Sequence, residues 1–252
     1  MDYFLKLDYF QLMNNFKNEL YSLKKALTAH QKTQNLFKNY GIAVLCFIAY
    51  FTLVGILTVV FPELQLDAIK DTRLDAMIKE NPLKFFILAV ILAPLLEEGV
   101  YRTLIAPKPW EIAFFLACLT LLFAGRFFPE DVLWWLKCII SVLSLVIIYK
   151  LFRELLPVQL TQQVCNILTR FKIPIVIISS IIFGFAHVYN YVDSFIITLP
   201  LFIAIVPRII LGLLFAKVKI ENNGLPWAMY LHAINNGVIF IIAYLNYSNQ
   251  PL

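Results

Sequence analysis

The sequence predicts an all-α fold, a polytopic transmembrane helical bundle of about seven (six to eight) spans with interfacial amphipathic helices. Two observations carry this. Of 252 residues, 61% are hydrophobic and only 15% charged, at a mean hydropathy of +0.78, too few polar side chains for a soluble domain of this length. The apolar residues also come in continuous blocks rather than in alternation, which excludes a transmembrane barrel. The clearest block, Ile42 to Phe61, holds no charge and matches the roughly 20 residues a helix needs to cross a bilayer.

Residues 1–40 read as a cytoplasmic or interfacial amphipathic segment preceding a transmembrane domain over residues 41–252. In Asn18–Asn39, lysines mix with Leu, Tyr and Phe, suiting a helix on an anionic membrane face. No signal peptide is read there, because no apolar core leads to a small-residue cleavage site. The expected spans are Ile42–Phe61, Leu83–Ile105, Ile112–Gly125, Val132–Leu151, Ile173–Tyr189, Phe195–Val218 and Leu225–Leu245. The third is short. The sixth contains Pro200 and Pro207 and is expected to kink. Between the fourth and fifth, Glu154–Phe171 again has interfacial character.

Charge fixes the expected orientation. With the N-terminus in the cytoplasm, inner segments carry thirteen Lys and Arg residues, Lys219 among them, and outer segments four, as the positive-inside rule demands. Seven spans then put the C-terminus outside. The net charge of +5 reflects this topology, and nucleic acid is not an expected partner. Cys46, Cys118, Cys138 and Cys165 are scattered and read as packing residues.

Polar groups inside the spans are costly in lipid and mark function by default. They are Glu97, Glu98 and Arg102 in span two, His187 near the end of span five, Arg208 in span six, and His232, Asn235 and Asn236 in span seven. Glu98 and Arg102 are four apart and form an expected intrahelical ion pair. Glu97 lies about 100° around the helix, without such a partner, and is left free for proton transfer. His232 and Asn236 share a helical face, and both can donate to a developing oxyanion. Phe183 shares a face with His187 and is expected to pack beside the imidazole. Asn235 faces elsewhere and is read as helix–helix hydrogen bonding.

No HExxH and no GxSxG occurs. A zinc site of Glu97, His187 and His232 drawn from three helices remains an alternative, though asparagine suits an oxyanion better than a metal. A carboxylate base, an imidazole and two donors describe hydrolysis of an acyl group, such as a peptide bond, by activated water. A proton-coupled carrier is disfavoured by the absence of an inverted repeat.

Glu97-Glu98-x-x-x-Arg102, Phe183-x-x-x-His187 and His232-x-x-x-Asn236 resemble the three motifs of the CAAX-protease and bacteriocin-processing (CPBP or Abi) family, which includes the type II CAAX prenyl endopeptidases. The resemblance covers roughly Leu83 to Leu245. It implies that Glu97 and His187 activate the attacking water, that His232 and Asn236 form the oxyanion hole, and that Glu98 and Arg102 support the site. It implies an intramembrane endopeptidase acting on a membrane-associated peptide or lipidated protein. Family members have been labelled metalloproteases, but the glutamate mechanism needs no metal, so no cofactor is favoured. The composition suits a member in a bacterial cytoplasmic membrane, where peptide maturation or bacteriocin immunity replaces prenyl-protein processing. A non-catalytic immunity or binding protein is the remaining alternative.

Overall fold

The computed structural model describes residues 27–66, 72–125, 129, 131–192 and 198–248, and among these every regular element is helical. The expectation for residues 1–26 lies outside the described residues. The chain is an integral membrane protein. Five helices are long and apolar enough to cross a bilayer, namely α1 (Ala29–Val60), α6 (Trp134–Leu155), α8 (Lys172–Ala186, continued by a short turn to Asn190), α9 (Leu199–Glu221) and α10 (Leu225–Ser248). The shorter apolar helix α5 (Pro109–Ala124) stands beside them. Helix α2 (Thr72–Glu80) precedes a composite rod of α3 (Pro82–Phe86), a π turn (Ile87–Leu92) and α4 (Ala93–Tyr101), and α7 (Val158–Arg170) follows α6.

Local chemistry sets the helix ends. Helix α1 starts at Ala29, well before the uncharged block at Ile42. Thr28 and Gln31 cap it reciprocally: the Thr28 N–H donates to Gln31 Oε1 (2.9 Å) and the Gln31 N–H to Thr28 Oγ1 (3.3 Å), a capping-box arrangement. Hydropathy marks where a helix meets lipid, and the cap marks where it begins. Pro62 follows its last turn. Asn81 caps α3, accepting from the Lys84 N–H at 2.9 Å, with Pro82 at the first helical position, where a missing N–H costs nothing. The sixth span begins at Leu199 behind the Thr198 cap, later than the expected Phe195.

Helix α7 is amphipathic as expected. Thr161 and Cys165 are buried, while Leu160 and Ile167 stay exposed on the apolar arc, where lipid can cover them.

Helices α9 and α10 form a hairpin across Asn222–Gly224, and α8 packs along α9. The core lies at their junction, around Phe183, Leu211, Phe215, Ala228 and Leu231. Close approach there requires small residues. A Cβ added to Gly212 would stand 3.0 Å from both the Ser180 backbone and the Arg102 guanidinium.

Helix α1 joins this core through Leu36 and Ala43 and through polar contacts. Asn39, fully buried, accepts from Lys217 Nζ (2.6 Å) and donates to Glu221 Oε2 (3.1 Å). Further along, the Tyr50 hydroxyl donates to the Ile203 carbonyl at 2.9 Å. That carbonyl would ordinarily receive the N–H of residue 207, which here is proline. The expected Pro207 break is therefore satisfied by a tyrosine from another helix, as helix breakers within a bilayer require.

Tyr50→Phe should leave the Ile203 carbonyl without that donor and cost about 1–3 kcal/mol, read as a lower unfolding temperature in detergent. Adding Pro207→Ala, which restores a backbone N–H, should recover most of the loss.

Candidate active site

Helix α4 ends the rod with Ala-Pro-Leu-Leu-Glu97-Glu98-Gly-Val-Tyr. It presents its two carboxylates to opposite fates. Glu98 and Arg102 are fully buried, with Glu98 Oε2 3.4 Å from Arg102 Nε. The guanidinium also donates to the Ser179 carbonyl of α8 at 3.4 Å. Its plane lies over Phe183, with Cζ 4.7 Å from the ring centroid, a cation–π contact that strengthens on desolvation.

The second oxygen of Glu98 does something the spacing did not reveal. Glu98 Oε1 lies 2.9 Å from His232 Nδ1, so the carboxylate accepts from one imidazole nitrogen and turns the other toward Glu97. The His232 ring is also stacked on Phe215, with centroids 4.7 Å apart and planes 17° from parallel. The histidine is fixed along its edge and across its face.

Glu97 is 26% exposed, and its Oε2 lies 3.8 Å from His187 Nε2 and 4.0 Å from His232 Nε2. Both distances exceed direct hydrogen bonding and suit groups that share a water. His187 stands where α8 gives way to a short turn, its Nδ1 2.8 Å from the Phe183 carbonyl. A carbonyl only accepts, so Nδ1 carries the proton and Nε2 faces Glu97 with its lone pair. Phe183 packs edge-on against His187 and His232, at centroid distances of 4.8 and 5.7 Å. One phenyl ring thus holds both imidazoles and the arginine.

Asn236 lines a cavity of about 240 Å³ together with Glu97, His187, Asn190 and Arg208. Its Nδ2 donates to the Ala89 carbonyl at 2.8 Å, leaving one amide N–H for the cavity. Asn235 does not bridge helices in the way expected. Its Nδ2 donates to Asn236 Oδ1 at 3.3 Å, and the adjacent asparagines brace each other.

Lys219 also departs from its reading as a flanking charge. It is 4% exposed, and its ammonium donates to the carbonyls of Arg102 (2.9 Å) and Thr103 (2.8 Å) and to Glu111 Oε2 (3.0 Å). All three of its N–H bonds are spent closing the C-terminal end of α4 against α5 and α9. The partners Lys219 and Glu111 stand 108 residues apart, so no local pattern joins them.

Among the described residues no three His, Cys, Asp or Glu side chains converge as metal ligands do. Tetrahedral zinc with bonds of about 2.0–2.1 Å places ligand atoms roughly 3.4 Å apart. The separations around Glu97, 3.8 and 4.0 Å, are wider than that.

The family described as Rce1-like, the type II CAAX prenyl endopeptidase Rce1-like family, matches over residues 151–238. That span contains Phe183, His187, His232 and Asn236, while Glu97, Glu98 and Arg102 precede it. The match agrees with the family resemblance over its second and third motifs, and the first lies outside it. No curated protein and no solved structure matches the chain.

The two glutamates should separate in a stability measurement. Glu98→Gln leaves the Arg102 guanidinium buried without its countercharge, a change that costs about 3–5 kcal/mol. Glu97→Gln should unfold within a degree or two of the wild type, because no ion pair of comparable closeness is lost.

Proposed function

We propose that the protein is an intramembrane endopeptidase hydrolysing a peptide bond of a membrane-associated peptide or protein with water activated by Glu97 and His187. The observation that carries this is the position of Glu97 Oε2 between two imidazole Nε2 atoms, 3.8 and 4.0 Å away, at the edge of a polar cavity. Water held by Glu97 and His187 gives its proton to the carboxylate as its oxygen attacks the scissile carbonyl. The oxyanion that forms receives the free N–H of Asn236 and Nε2–H of His232. With Nδ1–H already committed to Glu98, His232 donates through Nε2 as an imidazolium whose charge the developing oxyanion balances, Glu98 being paired with Arg102. Glu97 then hands its proton to the departing amine as the C–N bond breaks, returning the site to its starting state.

The substrate side is mostly apolar. A cavity of about 670 Å³ between the rod and α6 is lined by Leu88, Leu92, Leu96, Leu122 and Trp134, with Lys84, Asp131, Lys137 and Glu97 also on its wall. This suits a chain segment that arrives from lipid, whether lipidated or simply hydrophobic. The basic-residue asymmetry supports a cytoplasmic N-terminus, and the composition suits a bacterial cytoplasmic membrane, where the family resemblance implies peptide maturation or bacteriocin immunity.

Glu97→Gln should abolish cleavage of a membrane-associated peptide in proteoliposomes, lowering turnover by at least about 10²–10⁴-fold. Wild-type turnover in that variant would refute the assignment. A strong chelator should leave the wild-type rate unchanged, whereas inhibition reversed by zinc would establish the metal alternative. Protection against a bacteriocin that survives Glu97→Gln would favour a non-catalytic immunity protein.

A further inference from the structure

The rod that carries Glu97 is not a plain α-helix. Over Ile87–Leu92 it widens into a π turn, and the N–H of Ala93 donates to the Leu88 carbonyl five residues back. In that wider register the Ala89 carbonyl would receive the N–H of residue 94. Residue 94 is proline, which has no N–H to give. With Ala93 committed to Leu88 and residue 94 unable to donate, the Ala89 carbonyl has no donor within its own helix. It faces α10 instead, where Asn236 Nδ2 donates to it at 2.8 Å.

We infer that Pro94 and the π turn it closes are a positioning device for Asn236. The proline leaves one carbonyl open within the rod, and a buried carbonyl must find a donor. The nearest is the carboxamide that the proposed reaction needs. Asn236 is then held from two sides, by Ala89 through its Nδ2 and by Asn235 through its Oδ1. Of its two amide protons one is spent on Ala89, and the other is directed by default into the cavity that Ala89, Glu97 and His187 line. The π turn also shifts every later residue on the rod by one position. The widened turn that opens the Ala89 carbonyl thus also sets the rotation at which Glu97 leaves α4. This accounts for a proline and a π turn, each costly in a helix, three residues before the catalytic carboxylate.

The inference rests on the endopeptidase reading, and Pro94→Ala tests it. The new N–H at residue 94 gives the Ala89 carbonyl a competing donor within the rod, which weakens its hold on Asn236. Replacing a helix-interior proline should not lower the unfolding temperature, and kcat should nevertheless fall about a hundredfold with KM little changed. That is the order of loss when a donor aimed at an oxyanion is displaced. In an Asn236→Ala background the same substitution should add no further loss. The side-chain amide resonance of Asn236, observed with nitrogen-labelled asparagine, should move in Pro94→Ala. Pro82→Ala, at a first-turn position of the same rod, should change none of these. A wild-type kcat in Pro94→Ala, a loss that multiplies with Asn236→Ala, or an unmoved amide resonance would each overturn the inference. A wild-type protein that cleaves no membrane peptide would instead strike the endopeptidase reading, and the amide resonance alone would then decide whether Pro94 governs Asn236.

Discussion

The buried pair of Glu98 and Arg102 is the contact from which the rest of the site takes its position. Neither side chain is exposed, and two unshared charges at that depth would be prohibitive. Together they are tolerable, and each has atoms left over. Arg102 uses its remaining surface on the Ser179 carbonyl and the face of Phe183, which ties α4 to α8. Glu98 uses its second oxygen on His232, which ties α4 to α10. The pair is thus a junction between helices as well as an ion pair. Gly212 of α9 is required beside it because a single added carbon would press on the guanidinium.

The same economy recurs at three irregular points of the helices. Pro207 opens the Ile203 carbonyl, and the Tyr50 hydroxyl of α1 takes it. Pro94 opens the Ala89 carbonyl, and Asn236 takes it. The last carbonyls of α4 lack helical donors because the helix stops, and the Lys219 ammonium takes two of them. In water each open group could be left to solvent. In a bilayer each must be met by protein, so every break in a helix creates an attachment point for another helix. The polar residues that look expensive in the sequence are in large part the matching halves of these breaks.

This explains which parts of the molecule were legible in advance. Five of the seven expected spans follow from composition, and the Glu98–Arg102 and Phe183–His187 contacts from a period of 3.6 residues, because both depend on neighbours along one helix. Helix α1 begins before the uncharged block because hydropathy reports lipid contact, while the Thr28 cap decides where hydrogen bonding begins. The Glu98–His232 bond and the Lys219–Glu111 pair join residues more than a hundred positions apart, and no local pattern encodes them. The π turn was hidden for another reason. Its signal is a single proline inside an apolar run, which reads as a simple interruption until the carbonyl it leaves open is followed to Asn236.

The contrast between the two adjacent glutamates follows from these constraints. Glu98 has both oxygens engaged, so moving its proton would disturb Arg102 and His232 together and loosen three helices. Glu97 is bound to no scaffold of that kind. It is a quarter exposed and borders both the polar cavity shared with Asn236 and the apolar cavity along α6. A group that must accept and return a proton has to change charge without moving the frame around it. Placing the two carboxylates side by side, about 100° apart on one helix, achieves this separation. One fixes the histidine from behind, and the other faces its second ring nitrogen at 4.0 Å. The proposed chemistry needs both, because a general base is useful only if the donors that receive the oxyanion stay in place while it titrates.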